Sequence, residues 1–291
     1  TDEFNTNANM VVIPGIRDTL VQEYLADKVR ENALMVHIRD IASYDDNGER
    51  LWDNSTGKPN VRQTTEIFSA LNIDNNYSAA YYPDVFVEDS SNFRRVKVPA
   101  SVAVLGAISY NDKVSYPWFA PAGLVRGVVT NATNVGYISS EGEFVPVALT
   151  GGQRDTLYAN RLNPIANFPG QGLYVFGQKT LQSAATALDR VNVSRLLAYL
   201  RERFDPLARP FIFEPNDHIT RTNAKSVFDA FLSDMIGKRA IYDFIVVCDD
   251  TNNTPARIDA NELWIDIAIE PTKAAEFIYI PIRLVNTGTL H

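Results

Sequence analysis

Cysteine is nearly missing from this sequence: Cys248 is the only one in 291 residues. That excludes an intrachain disulfide and a cysteine-based zinc site, and it fits a reducing compartment. Histidine is scarce as well. His37, His218 and His291 lie far apart and form no metal-ligating pair. Basic residues are outnumbered, 27 against 35 acidic ones, which leaves a net charge of -8. A chain so balanced is a poor fit to coating nucleic acid, which needs a basic surface. No apolar run approaches the roughly 18 residues that span a bilayer, and the opening stretch lacks a signal-peptide pattern. Without a secretory signal, the N-x-S/T matches at Asn54, Asn76, Asn131 and Asn192 read as chance. The polar start "TDEFNTNAN" carries no initiator Met and reads as the beginning of a piece of a longer protein.

What is present is a large apolar fraction, 45%, enough for a sizeable core. Short apolar runs alternate with segments of helical period. Strands are expected at 9–16, 33–41, 77–89, 172–178, 209–215, 241–250, 263–271 and 275–286. Helices are expected at 19–32, 62–72, 98–112, 189–204 and 221–239, with a short one opening 151–168. In the first helix Leu20, Val21, Tyr24, Leu25 and Val29 share one face. In the last, Val227, Phe228, Phe231 and Met235 are the expected buried stripe, and Gly237 stands where a C-cap would. The segments 42–60 and 124–150 read as insert loops, the second with weak strands. This order predicts an α+β fold, a mixed β-sheet flanked by helices with a terminal strand or arm. A single core domain is expected over 1–285, followed by a flexible tail at 286–291.

Four stretches invite a chemical reading. The glycines of "NFPGQGLYVFGQKTL" (167–181) precede a strand, the reverse of the strand–glycine–helix order that a dinucleotide needs, and no P-loop spacing follows. A tight turn into a buried strand accounts for them. Asp249 and Asp250 end a strand, where carboxylates can hold a metal for hydrolysis, but Asp and Asn also stop strands by bonding their own backbone. Cys248 beside them reads as a small buried hydrophobe. Glu214, Asp217 and His218 could support acid–base chemistry or simply lead into a helix N-cap. Finally, Arg190, Arg195, Arg201 and Arg203 on one helix form a basic arc in an acidic chain, either solvated or a contact for an acidic protein.

Several of these segments together resemble the C-terminal half of contractile-tail sheath proteins. The carrying residues are "VPASVAVLGAISYND" with "PWFAPAG", "NPIANFPGQGLYVFGQKTL", "DRVNVSRLLAYL", "FIFEPND" and "VVCDDTNNTPARIDANELWIDIAIEPTKAAEFIYI". The family's turn N-x5-P-G-x-G leads here into a strand ending Phe176-Gly177, where the family has Trp-Gly or Tyr-Gly. Its "VNVRRL" is "VNVSRL" here, with Ser194 in place of the first arginine. The resemblance is strong over 98–123 and 165–285 and loose before residue 98. The insert loops match a large phage sheath better than the compact versions of bacteriocins or type VI secretion.

The resemblance implies a structural, non-enzymatic subunit that polymerises in six-fold rings around an inner tail tube and contracts to drive the tube through the host envelope. It implies a sheath C-terminal α/β sandwich domain next to the tube. Implied partners are further copies of itself, the tail tube protein, and baseplate and tail terminator proteins. No cofactor, membrane insertion or nucleic acid is implied. The implied location is the virion tail, assembled in the host cytoplasm. Terminal arms that exchange strands with neighbours would here be Phe277, Ile278, Tyr279, Ile280, Ile282 and Leu284. Arg190, Arg195, Arg201 and Arg203 would include tube contacts. The alternatives are a bacteriocin or type VI-like sheath and, in a different class, a metal-dependent hydrolase built on Asp249, Asp250 or Glu214.

Overall fold

Strands buried on both faces lose the alternating pattern of half-exposed ones, and three such runs form the centre of the molecule. The computed structural model describes residues 8–43, 51, 59–89, 91–92, 94–139 and 141–281. Along the first half run β1 (Met10–Val11), α1 (Thr19–Asn32), β2 (Val36–Arg39), α2 (Val61–Ala70), β3 (Ser78–Tyr82), β4 (Val85–Asp89), β5 (Arg94–Val98) and α3 (Ala100–Val114). Next come α4 (Gly123–Arg126), β6 (Gly136–Ile138), β7 (Phe144–Pro146), α5 (Gly151–Ala159), β8 (Leu162–Phe168) and β9 (Gly172–Val175). The last third holds α6 (Val191–Ala208), α7 (His218–Gly237), β10 (Ile241–Val247), α8 (Pro255–Asp259) and β11 (Asp266–Pro271).

The main sheet has the order β1-β2-β3-β8-β9, parallel through β8 and closed by the antiparallel β8–β9 hairpin. Pairs β4–β5, β6–β7 and β10–β11 form separate two-stranded sheets. The fold is α+β. Helix α3 packs on the main sheet with Ala100, Ala103, Val104, Ala107 and Ile108 buried. Its small side chains permit close approach. The buried Asp40 accepts from the Ser101 backbone N at 3.1 Å and its hydroxyl at 2.9 Å, so a carboxylate caps the positive end of α3. A second core lies between α6, α7 and the β10–β11 sheet, with Leu196, Leu200, Phe228, Leu232, Met235 and Trp118 at its centre. No helix among the described residues is long and apolar enough to cross a membrane.

Several expectations need correction. On α1 the buried residues are Gln22, Ala26 and Val29, while Leu20 and Tyr24 are exposed. Burying that face lets the Gln22 amide donate to the Ile16 carbonyl, a bond the apolar face could not supply. The run 77–89 is two strands, with β4 turning away to pair β5. After the short helix, residues 162–168 form β8, in which Asn163 finds hydrogen-bond partners inside the sheet. Residues 209–215 are no strand: a 3₁₀ turn at Arg209–Phe211 follows α6. Between β10 and β11 lies the short helix α8, not expected from the sequence. The left-handed residue after α7 is Arg239, with φ of 60°, not Gly237. Residues 272–281 form no strand. Most of the insert 42–60 lies outside the described residues; the insert 124–150 holds α4 and the β6–β7 pair.

Candidate assembly surfaces

The glycine-rich stretch is a structural joint. Gly170 and Gly172 have φ of 76° and 106°, left-handed values that a β-carbon disfavours, and they turn β8 into β9. Gly177 passes under Asn163: a β-carbon there would sit 2.9 Å from the Asn163 Oδ1. That fully buried amide donates to the Ala80 carbonyl (3.1 Å) and the Lys179 carbonyl (2.8 Å) and accepts from the Lys179 N at 2.7 Å. One side chain thus ties β3, β8 and the strand exit together. Asn163→Ala should therefore cost about 2–3 kcal/mol, since it strands buried backbone groups. Urea unfolding checks this; a loss under about 0.5 kcal/mol would contradict it.

The acidic cluster also has local employment. Asp249 accepts from the Thr251 N at 2.8 Å and from its hydroxyl, bonds that hold its carboxyl below the usual range. Asp250 pairs with Arg221 at 2.6 Å. Asn252 and Asn253 tie the end of β10 to the Trp264 carbonyl. Asp217 caps α7 by accepting from the Thr220 N at 2.8 Å, while Glu214 and His218 are exposed. Cys248 is buried, and burial pushes its thiol up. Among the described residues, no three His, Cys, Asp or Glu side chains gather as a metal site would require.

The four arginines do not form one arc. The Arg195 side chain is 2% exposed and donates to Asp112 at 2.5 Å and to the Pro117 carbonyl at 3.1 Å. It joins α6 to α3 and to the loop after it, and as a surface contact it is withdrawn. Arg190, at the N-cap of α6, is turned toward Asp189 (2.8 Å) and Glu276 (2.7 Å), so it too is withdrawn as a tube contact. Arg201 is exposed but donates to the Tyr77 hydroxyl and the Ala33 carbonyl. Arg203 is exposed, with its guanidinium 5.2 Å from the Tyr199 ring centre.

The end of the described chain differs from everything before it. Phe277, Ile278, Tyr279 and Ile280 are 67–88% exposed and pair with no strand of the described residues. Ile282 and Leu284 lie outside those residues. The root of this segment is nonetheless fixed. Glu276 receives the Tyr158 hydroxyl at 2.7 Å, the Gln178 amide at 3.2 Å and two bonds from Arg190, at 2.7 and 3.1 Å. Burial and the Glu276 carboxylate push the Tyr158 phenol well above its ordinary range, so it stays a donor. Sequence reading missed this clamp. Its one visible sign is a lone acid in the otherwise apolar "AAEFIYIP".

The β10–β11 sheet is the other incomplete element. Its inner face packs Ile241, Phe244, Val246, Ile265, Ile267 and Ile269 against α7. Neither of its edges carries another strand among the described residues, and Tyr242 and Ile245 stand exposed on its outer side. Open edges with unpaired backbone groups are templates for a strand from another chain.

Comparison with known proteins gives this arrangement a family. Residues 183–284 match the model of the phage tail sheath C-terminal domain. The chain is 36% identical over 243 residues to the tail sheath protein of Vibrio phage KVP40, covering 84% of this chain and 32% of that protein. It is 31% identical over 219 residues to the tail sheath protein of Enterobacteria phage T4, covering 75% and 31% respectively. It therefore spans about a third of the length of these curated relatives. Among solved structures, the contracted sheath complex of an extracellular contractile injection system, PVC, aligns over 96% of this chain and 71% of its own, with a TM-score of 0.71 at 17% identity. The contracted helical sheath of the anti-feeding prophage aligns over 94% and 69%, with a TM-score of 0.70 at 19% identity. At such identities the likeness speaks to the fold, while the phage relatives speak to descent. The chain is thus a relative of phage tail sheath proteins, with residues 183–284 matching their C-terminal domain.

Proposed function

We propose that this chain is the tube-proximal part of a contractile phage tail sheath subunit, acting by assembly rather than catalysis. Copies stack around an inner tube, and their rearrangement drives the tube through a host envelope. The observation that carries this reading is the pairing of two incomplete elements: an apolar segment from Phe277 onward that no strand receives, and a two-stranded sheet with open edges. A segment extended from one copy onto the sheet edge of the next would satisfy both.

Phe277, Ile278, Tyr279, Ile280, Ile282 and Leu284 are the proposed exchanged arm, within one core domain spanning 1–285. Arg201 and Arg203 are the proposed tube contacts. Exposed pairs of this kind contribute about 0–1 kcal/mol each, which suits an interface that must hold and then slide. The further partners in this reading are the tube, baseplate and terminator proteins of a virion tail assembled in the host cytoplasm. A bacteriocin or injection-particle sheath is the second reading, favoured by the structural likeness; the relatives at 31–36% identity, all phage sheaths, favour the first.

Negative-stain electron microscopy of the full-length subunit that carries this chain, at high concentration, tests the proposal. Hollow ribbed tubes are the expected result. Discrete particles from a folded sample would overturn it.

A further inference from the structure

The link between α6 and α7 carries an unusual projection. Phe213 is fully exposed, Ile212 is 61% exposed, and Phe213 has φ of 70°, a left-handed backbone that aromatic residues rarely adopt. Strain of this kind persists only where the surroundings enforce it, and it clusters at sites with a task. Here the enforcement is visible. The Asn216 amide donates to the Glu262 carbonyl at 2.8 Å, Arg221 donates to the Asn216 side chain at 3.1 Å, and Asp217 caps α7. The two apolar side chains are therefore presented on a fixed base, with the carboxylates of Glu214 and Asp217 beside them.

At the other end of α7 lies a groove of about 840 Å³. Phe119, Phe176 and Tyr242 form apolar walls, and Arg126, Arg154 and Arg239 stand around them. Arg126 and Arg239 lie 4.9 and 5.8 Å from the Phe119 ring centre, and Arg154 lies 5.7 Å from that of Phe176. Against these cations the groove holds Asp155 and Glu276, the second already taken by Arg190. An apolar knob with acidic flanks and an apolar groove with a basic rim are complementary in shape class and in charge.

They cannot meet within one copy. Helix α7 has twenty residues, so about 30 Å separates its ends. We infer that Ile212 and Phe213 of one copy seat in the Phe119–Phe176–Tyr242 groove of the next. Such a contact is head-to-tail, the kind that propagates into rings or helical filaments rather than closing a two-fold dimer. A rigid aromatic anchor filling a pocket is also the usual form of an interface hot spot. The inference rests on the reading of this chain as an assembling subunit and adds to it a second contact, whose groove borders the root of the arm at Glu276 and Phe277.

Disulfide trapping in the full chain tests it, helped by the burial of Cys248. Phe213→Cys protein is mixed with Tyr242→Cys protein under mild oxidation. The expected result is a mixed crosslink at least tenfold above a Phe213→Cys and Leu20→Cys control, Leu20 being exposed elsewhere. A yield equal to the control, or a predominance of Phe213–Phe213 pairs, overturns the inference. Phe213→Gly supplies the second measurement, since glycine tolerates the left-handed backbone. It should lower self-association at least tenfold with the thermal melt unchanged. If the unaltered chain forms tubes and Phe213→Gly assembles equally well, the knob is dispensable and the inference fails while the sheath reading stands. If the unaltered chain never assembles, both fail.

Discussion

Removing the chain from Phe277 onward should abolish tubes while leaving the fold of the remainder intact. The expectation follows from where the segment's energy lies. Phe277, Ile278, Tyr279 and Ile280 are mostly exposed, so deleting them removes little from the isolated chain. On a neighbour's sheet edge the same residues would gain ladder bonds worth about 1 kcal/mol each, and their apolar surface would leave water at about 25 cal/mol per Å². A loss of about 5 kcal/mol per contact lowers an association constant by more than three orders of magnitude. Sedimentation and electron microscopy should therefore show no tubes, with the circular dichroism melt unchanged. Tubes from the truncated chain would refute the arm.

The clamp at Glu276 refines this test. Because Arg190, Tyr158 and Gln178 hold the segment's root, Glu276→Ala should leave the arm present but poorly aimed. Assembly should then fall between the intact and truncated chains. A clamp fixed in the body with a free segment beyond it suits an element that tethers neighbours while their bodies pivot.

Much of this was legible in the sequence, and the failures share a cause. The α3 helix was legible because small apolar residues all round leave no other reading. The β11 pattern was legible because Leu263, Ile265, Ile267 and Ile269 alternate and only one face is covered. Periodicity reports which residues could be buried and is silent on what covers them. On α1 it selected Leu20, Val21 and Tyr24, yet the covered face is the one whose Gln22 can satisfy a backbone carbonyl. Asn163 forms three hydrogen bonds inside a strand, a role the sequence pattern did not show. Charge misled at Arg195, because a sequence does not say which Asp it will meet; Asp112 is 83 positions away. The arm was read as a strand because its composition is that of one. In a single copy it has the composition without the partner, a mismatch between local propensity and local structure that the proposed exchange would resolve.

The second large effect concerns acid. His37 sits on β2 between β1 and β3, fully buried. Its Nδ1 lies 3.2 Å from the Ser78 hydroxyl, and its Nε2 has no protein partner among the described residues. Burial, and secondarily the Arg39 guanidinium two residues along the strand, lower its pKa to about 4 from an ordinary 6.5. The unfolded chain therefore takes up a proton as pH falls through 6.5, while the folded chain resists until about 4. Stability from this group is complete above pH 6.5 and is lost as pH falls toward 4, by about 2 kcal/mol at pH 5 and about 3 kcal/mol at pH 4. Below pH 5 the carboxylates begin to contribute, so the window that isolates His37 is pH 7 to 5. Urea unfolding across it should show the loss in the native chain, and His37→Gln should flatten the slope. An equal slope in both proteins would place the acid sensitivity elsewhere. A loss confined to the native chain would mean that the main sheet, and with it the support for the arm's clamp, weakens through one buried imidazole.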